Sequence, residues 1–318
     1  MSVLEDLGVR QVSSPLTRKM LAPLDERCEV VQFSSLPNWR DLARLGELME
    51  SHPDVALRAY GGYDGSIQNL EFLRHFPHLR RFYADQLRYD DFQSIEGLRF
   101  LPDDLGELGL GKVTRSLSLQ PLARFESLRT LYLEGSRKDL DVISRLQMLE
   151  DLTLRSIRLS DLSVLTPLRR LRSLDLKLGG TRDLSPLPDL APLAYLELWM
   201  IRGLDDISPV GKLDSLQYLL LQDLARVDRL PDLSAMTSLR RLDLQNLKSL
   251  TDLTPLLAAP ALEALMVVDF RHLKPEHFEC LTDHPTLRYA AVGLGSKRRN
   301  EAVRRFIDLP RPGRFVFR

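Results

Sequence analysis

Apolar and polar positions alternate along this chain with a recurring signature. The string LxxLxL appears as LEDLTL from Leu149, LRSLDL from Leu171, LAYLEL from Leu193, LQYLLL from Leu216 and LRRLDL from Leu239, at spacings of 22, 22, 23 and 23 residues. Outward from that block lie LRTLYL from Leu128, LGELGL from Leu105 and LEALMV from Leu262. Weaker copies follow as LRRFYA from Leu79 and LRYAAV from Leu287, with degenerate ones near residues 31–33 and 55–59. Within a copy, Leu174 and Leu176 point to one face and Asp175 to the other, which predicts a short half-buried strand. One such strand cannot satisfy its own backbone. About ten of them stacked in parallel at ~4.8 Å pair their backbones and merge the leucines into a continuous core.

Each copy must return to its start in the residues between strands. The segments DLSPL at Asp183, DISPV at Asp206 and DLTPL at Asp252 carry the device for this. Ser185, Ser208 and Thr254 are placed to cap a short helix or 3-10 turn, and Pro186, Pro209 and Pro255 to occupy its first position. The repeat resembles the leucine-rich-repeat family, over nearly the whole chain, and DLSPL is similar to SDS22-like and bacterial internalin-like repeats. Those repeats usually carry Asn three residues after the last strand leucine; here Ile157, Ile201, Leu224, Leu247 and Phe270 stand there. The turn is therefore expected to be wider, or its backbone to be satisfied by other groups. The resemblance implies an α/β solenoid, a horseshoe with a parallel concave β-sheet and short convex helices or 3-10 turns. It also implies a surface that binds another protein.

A stack of repeats needs both ends of its core covered. Residues 1–53 are read as an N-terminal cap, with Trp39, Leu42, Leu45, Leu48 and Met49 at helical spacing. Residues 54–292 hold the repeats. Residues 293–318 are read as a C-terminal cap: a helix starting at Ser296 and burying Val303, Phe306 and Ile307, then GRFVFR as an edge strand.

The 44 basic and 44 acidic residues cancel, so no global field recruits nucleic acid or an anionic membrane. No stretch approaches the roughly 18 apolar residues of a membrane helix, and the N-terminus does not read as a signal peptide. Cys28 and Cys280 fall at opposite ends of the predicted stack, so a disulfide is not expected and the cytoplasm is the default compartment. The chain is expected to be a monomer without a cofactor.

Gly-rich phosphate loops, GxSxG, HExxH and paired CxxC motifs are absent from the sequence. His277, Cys280 and His284 could share a helical face as zinc ligands or as a nucleophile with its base. His284 is also explained as punctuation before Pro285, and with no room after Leu287 for a separate catalytic domain the enzyme reading is secondary. Another alternative is a nucleic-acid or acidic-partner site on the basic C-terminal segment, Lys297, Arg298, Arg299, Arg304, Arg305, Arg311, Arg314 and Arg318, although no aromatic stacking platform accompanies it.

The leading candidate is the outward face of the later strands. Tyr195, Glu197, Trp199, Tyr218, Leu220, Arg241, Asp243, Met266, Val268 and Tyr289 should lie there as an exposed aromatic and apolar patch, the mark of a protein-binding surface. Coverage of part of it by the C-terminal cap is the alternative. Earlier strands present Arg81, Tyr83, Asp85, Glu107, Tyr132, Glu134, Asp151, Arg155, Asp175 and Lys177, a charged surface of both signs.

Overall fold

The computed structural model describes residues 8–61, 64–86, 93–112, 116–135 and 138–317; Arg318 and the first seven residues of the expected N-terminal cap lie outside them. The chain forms two compact units, residues 1–149 and 150–318. In the first, the strands are β1 (Val9–Gln11), β2 (Val30–Phe33), β3 (Ala56–Gly61), β4 (Arg81–Gln86), β5 (Glu107–Lys112) and β6 (Thr130–Glu134), paired in parallel and in sequence order. Helix α1 (Trp39–Glu50) follows β2 and buries Leu42, Leu45 and Met49, while Trp39 stands 59% exposed at its start. Asn38 caps it by accepting from the Asp41 amide at 3.0 Å.

The second unit has β7 (Asp151–Arg155), β8 (Ser173–Lys177), β9 (Tyr195–Trp199), β10 (Tyr218–Gln222), β11 (Arg241–Gln245), β12 (Ala264–Val268) and β13 (Tyr289–Val292). They too are parallel and in sequence order, with α2 (Lys297–Val303) after the last. The register aligns the leucines of successive copies: Leu154, Leu176 and Leu198 are direct partners, as are Leu221 and Leu244. All are buried, and they form the core ladder that the spacing predicts.

Most return segments hold a single 3-10 turn, such as Ser208–Lys212 and Thr254–Ala258, and the one between β10 and β11 holds none. Their capping differs from the expectation. The serine or threonine side chain does not cap; the preceding aspartate does. Asp206 Oδ1 accepts from the Ser208 amide at 2.8 Å, Asp252 Oδ1 from Thr254 at 2.9 Å and Asp183 Oδ1 from Ser185 at 2.9 Å. An Asx side chain reaching two residues forward mimics a backbone turn and leaves the proline free to set φ in the helix that follows.

The missing asparagine also has a structural answer. Two residues after the last strand leucine the backbone turns left-handed, at Ser156, Leu178, Met200, Asp223, Asn246 and Asp269. The amides of five of these residues extend the ladder one step: Leu178 N donates to Trp199 O at 2.8 Å and Asn246 N to Val268 O at 2.8 Å, as Ser156, Met200 and Asp223 also do. With the turn backbone satisfied in this way, the next position needs no amide. Ile157, Ile201, Leu224, Leu247 and Phe270 are buried there instead and thicken the core.

The closing segment departs from the expected edge strand. Residues 308–317 form no strand. Pro310 and Pro312 lack the N–H groups a paired strand would donate. The Ala290 amide of β13 donates to Pro310 O at 2.9 Å, and the chain then crosses the solvent side of the sheet, Phe315 reaching Tyr218 of β10 and Phe317 reaching Tyr195 of β9. Within the cap, Ser296 Oγ accepts from the Arg299 amide, and Val303 and Ile307 are buried, whereas Phe306 is only half-buried. No helix of the described residues is long and apolar enough to cross a membrane.

Candidate functional site

On the solvent side of β7–β13 the register draws the outward side chains into rows. One runs Asp151, Ser173, Tyr195, Tyr218, Arg241, Ala264, Tyr289; the next Thr153, Asp175, Glu197, Leu220, Asp243, Met266, Ala291; the third Arg155, Lys177, Trp199, Gln222, Gln245, Val268. All ten residues picked from the sequence therefore share this face. Their exposure is uneven. Val268 and Tyr289 are 39% and 44% exposed, Tyr195, Trp199, Tyr218, Leu220 and Met266 are half-buried, and Glu197, Arg241 and Asp243 are buried.

At the centre of the patch the covered alternative holds, because the C-terminal tail lies on it. Tyr195 and Tyr218 meet edge to face at 5.0 Å between ring centroids. Phe315 approaches Tyr218 at 5.3 Å, Phe317 approaches Tyr195 at 6.3 Å, and the two phenylalanines sit 5.0 Å apart. Arg241 Nη1 donates to Gly313 O at 2.8 Å. Its other nitrogens, Nε and Nη2, grip Asp243 at 2.8 and 2.9 Å, while the guanidinium covers the Tyr218 ring at 4.8 Å. Tyr218 Oη donates to Asp243 Oδ2 at 2.8 Å.

These contacts give the solenoid its chemistry, and solved structures give it a place among known folds. An internalin (InlF) of Listeria monocytogenes is similar over 98% of this chain and 88% of its own, with a TM-score of 0.57 at 18% identity. A leucine-rich-repeat protein of Leptospira interrogans is similar over 94% of this chain and 88% of its own, with a TM-score of 0.52 at 16% identity. The chain has the leucine-rich-repeat fold. No protein-family model and no curated sequence matches it.

A second polar cluster lies beside the aromatic one on the leucine-rich-repeat face. Tyr195 Oη donates to Glu197 Oε2 at 2.9 Å, Lys177 Nζ sits 2.8 Å from the same oxygen, and Thr153 Oγ1 donates to Asp175 Oδ2 at 2.9 Å. Burial, the largest single influence, would raise Glu197, but the hydrogen bonds from Lys177, Asp175 and Tyr195 and the charge of Lys177 together outweigh it and hold the carboxyl below its ordinary range. Burial, with the neighbouring Glu197 second, pushes Asp175 up to about 6. Burial and the adjacent carboxylates push the Tyr195 and Tyr218 hydroxyls above their usual range.

Asp175 makes stability depend on pH. Its folded value of about 6 lies above the ordinary 3.8, so its contribution is complete below about pH 4 and is lost as pH rises through about 6. Asp175→Asn should therefore flatten the fall in stability between about pH 4 and 6, read as urea midpoints across that window. A variant whose midpoint tracks the unmodified protein at every pH would show that Asp175 carries no displaced proton.

Trp199 closes the third row. Its Nε1 donates to Asp223 Oδ2 at 3.0 Å, and the Arg155 guanidinium lies 5.4 Å over its ring. Asp223 also accepts from Asn246 Nδ2 and Gln222 Nε2, so the indole is fixed from the left-handed turn.

The other candidates are placed differently. His284 is buried with Nε2 3.0 Å from Leu256 O, His277 Nδ1 lies 3.2 Å from Lys274 O, and the Cys280 thiol donates to His277 O. The three do not converge, and no group of three metal-ligating side chains occurs among the described residues. In the basic segment, Arg299 reaches inward to the carbonyls of Arg271, Leu294 and Leu273 and ties α2 to the preceding turn. Earlier charged positions are ion-paired: Arg81 with Glu107 at 2.9 Å and Arg58 with Asp85. Tyr83 donates to Glu107 Oε2, and burial followed by that carboxylate pushes its hydroxyl up to about 12.

Phe315 and Phe317 are the residues that sequence reasoning missed as part of the site. Their signal was present: FVF in an extended segment places two rings on one side and Val316 on the other.

Proposed function

We propose that this leucine-rich-repeat chain is a non-catalytic scaffold, bacterial and cytoplasmic, that binds a protein partner on the solvent side of β7–β13. Inhibitory and immunity-type roles fall within that reading. The observation that carries it is the apolar set Trp199, Leu220, Met266, Val268 and Tyr289, carried by β9, β10, β12 and β13 on the face opposite the leucine core. A solvated sheet face is ordinarily polar, and an apolar set of this extent marks an interaction surface. A rigid parallel sheet loses little entropy on binding, which suits recognition of a folded surface. The bacterial proteins that share the fold support the origin, and the free thiols of Cys28 and Cys280 fit a reducing compartment. The ion pairs and hydrogen bonds that tie up Lys177, Glu197, Arg241 and Asp243 favour binding over catalysis.

The test is affinity capture from the native organism, followed by titration of the identified partner against Trp199→Ala. The variant should bind about 2 kcal/mol more weakly, roughly thirtyfold, while remaining folded with a melting temperature lowered only by the loss of the Asp223 hydrogen bond and the Arg155 contact. Equal binding by Trp199→Ala and by a Leu220→Ala/Met266→Ala double variant would place the partner elsewhere.

A further inference from the structure

The C-terminal tail occupies the aromatic part of this face without being built into it. Val316 is 72% exposed and Phe317 51% exposed, so the tail rests on the sheet by one side only. Phe315 and Phe317 alternate with Val316 as in any extended chain, and their rings complete a quartet with Tyr218 and Tyr195 in which three contacts are edge to face and that of Phe315 with Tyr218 is tilted. The hydrogen bond from Arg241 goes to a main-chain carbonyl, that of Gly313, which any peptide could supply. Arg240 adds a guanidinium 5.7 Å over the Phe315 ring. Beside the tail a cavity of about 650 Å³ remains, reaching Asp151, Arg172 and Gln217 at the strand starts. The tail therefore leaves much of the concavity unfilled.

We infer that this cradle is a site for an extended segment of a protein partner carrying two aromatic side chains separated by one residue, and that residues 313–317 hold the site as a displaceable internal copy of that segment. The inference rests on the reading of this face as the partner surface and names what the partner presents. Tyr195 and Tyr218 supply ring edges and faces for the two aromatics, Arg241 donates to the carbonyl two residues before the first of them, and Asp243 fixes the guanidinium for that task. A segment with more contacts along the open cavity displaces the tail, which then swings free from about Pro310, where the Ala290 amide still holds it. The tail lowers the apparent affinity for any partner by the fraction of time it is docked.

The experiment uses the full-length chain and a labelled peptide of sequence RPGRFVFR. Removing the internal competitor with Phe315→Ser/Phe317→Ser should tighten peptide binding by about tenfold or more, the gain expected when the tail is docked about nine-tenths of the time. Adding Tyr218→Ala to that variant should abolish the gain. Phe317→Ser alone changes a half-exposed side chain, should keep the melting temperature of the unmodified protein, and should give a smaller gain of the same sign. Equal affinity of the unmodified and Phe-substituted chains for the peptide overturns the inference, as does a gain that survives Tyr218→Ala. An identified partner that depends on Trp199 but binds both chains equally overturns this inference and leaves the proposed function standing. Peptide binding that follows the expected pattern while the partner ignores Trp199 overturns the proposed function alone.

Discussion

Asp243→Ala is expected to destabilise the second unit by about 3–5 kcal/mol, the cost of leaving a buried charge without its partner. The Asp243 side chain is 1% exposed and accepts three hydrogen bonds, from Arg241 Nε, Arg241 Nη2 and Tyr218 Oη. Alanine strands the Arg241 guanidinium, 10% exposed, among aromatic rings and leaves the Tyr218 hydroxyl without its acceptor. Asp243→Asn keeps an acceptor for the tyrosine and loses the charge, so it should fall between alanine and the unmodified protein. The double change Arg241→Met/Asp243→Leu should recover much of the loss, because replacing both charges removes the desolvation cost along with the attraction. Urea unfolding followed by circular dichroism measures all three. A loss below about 1 kcal/mol for Asp243→Ala would mean that water reaches the pair and that the tail does not seal it.

Leu176→Ala should cost about 2–5 kcal/mol through lost burial and a cavity. Leu176 is the direct partner of Leu154 on one side and Leu198 on the other. In a stack held by nearest-neighbour contacts, the gap weakens the interface with both adjacent repeats, and the side chains around it cannot collapse without moving two strands. The expected readout is a lower denaturant midpoint with hydrogen exchange quickened first in β7–β9. Near-neutral stability would show that the leucine ladder is out of register by one residue, since a slip of one sends every strand leucine to solvent.

Much of this architecture is legible in the sequence for a local reason. Strand side chains alternate, so the parity of Leu174, Asp175 and Leu176 decides which side each faces before any tertiary contact is known. The repeat spacing then brings equivalent positions into register, which is why Tyr195 and Tyr218 are paired in the structure. The aspartates of the return segments and the left-handed turn residues were harder to read. A side chain that caps from two residues upstream and a φ near +50° at Met200 both leave only weak traces in residue type.

Parity by itself says which way a side chain points and nothing about what lies on top of it. Glu197, Arg241 and Asp243 point outward as expected and are nevertheless buried, because paired charges, neighbouring rings and the tail cover them. That cover comes from Gly313–Phe317, far along the chain from Tyr195 and Tyr218. Contacts of such separation depend on how the whole unit brings its end back across the face, and no periodicity of the repeats encodes them. The FVF alternation alone suits an edge strand and a strap equally well. The prolines at 310 and 312 remove the donors an edge strand needs, and the aromatic rows of β9 and β10 offer the two phenylalanines a place to pack. The stack, its register and the face that looks outward were thus determined by the sequence through local alternation; the occupant of that face was decided only by the tertiary structure, through contacts between segments distant in the chain.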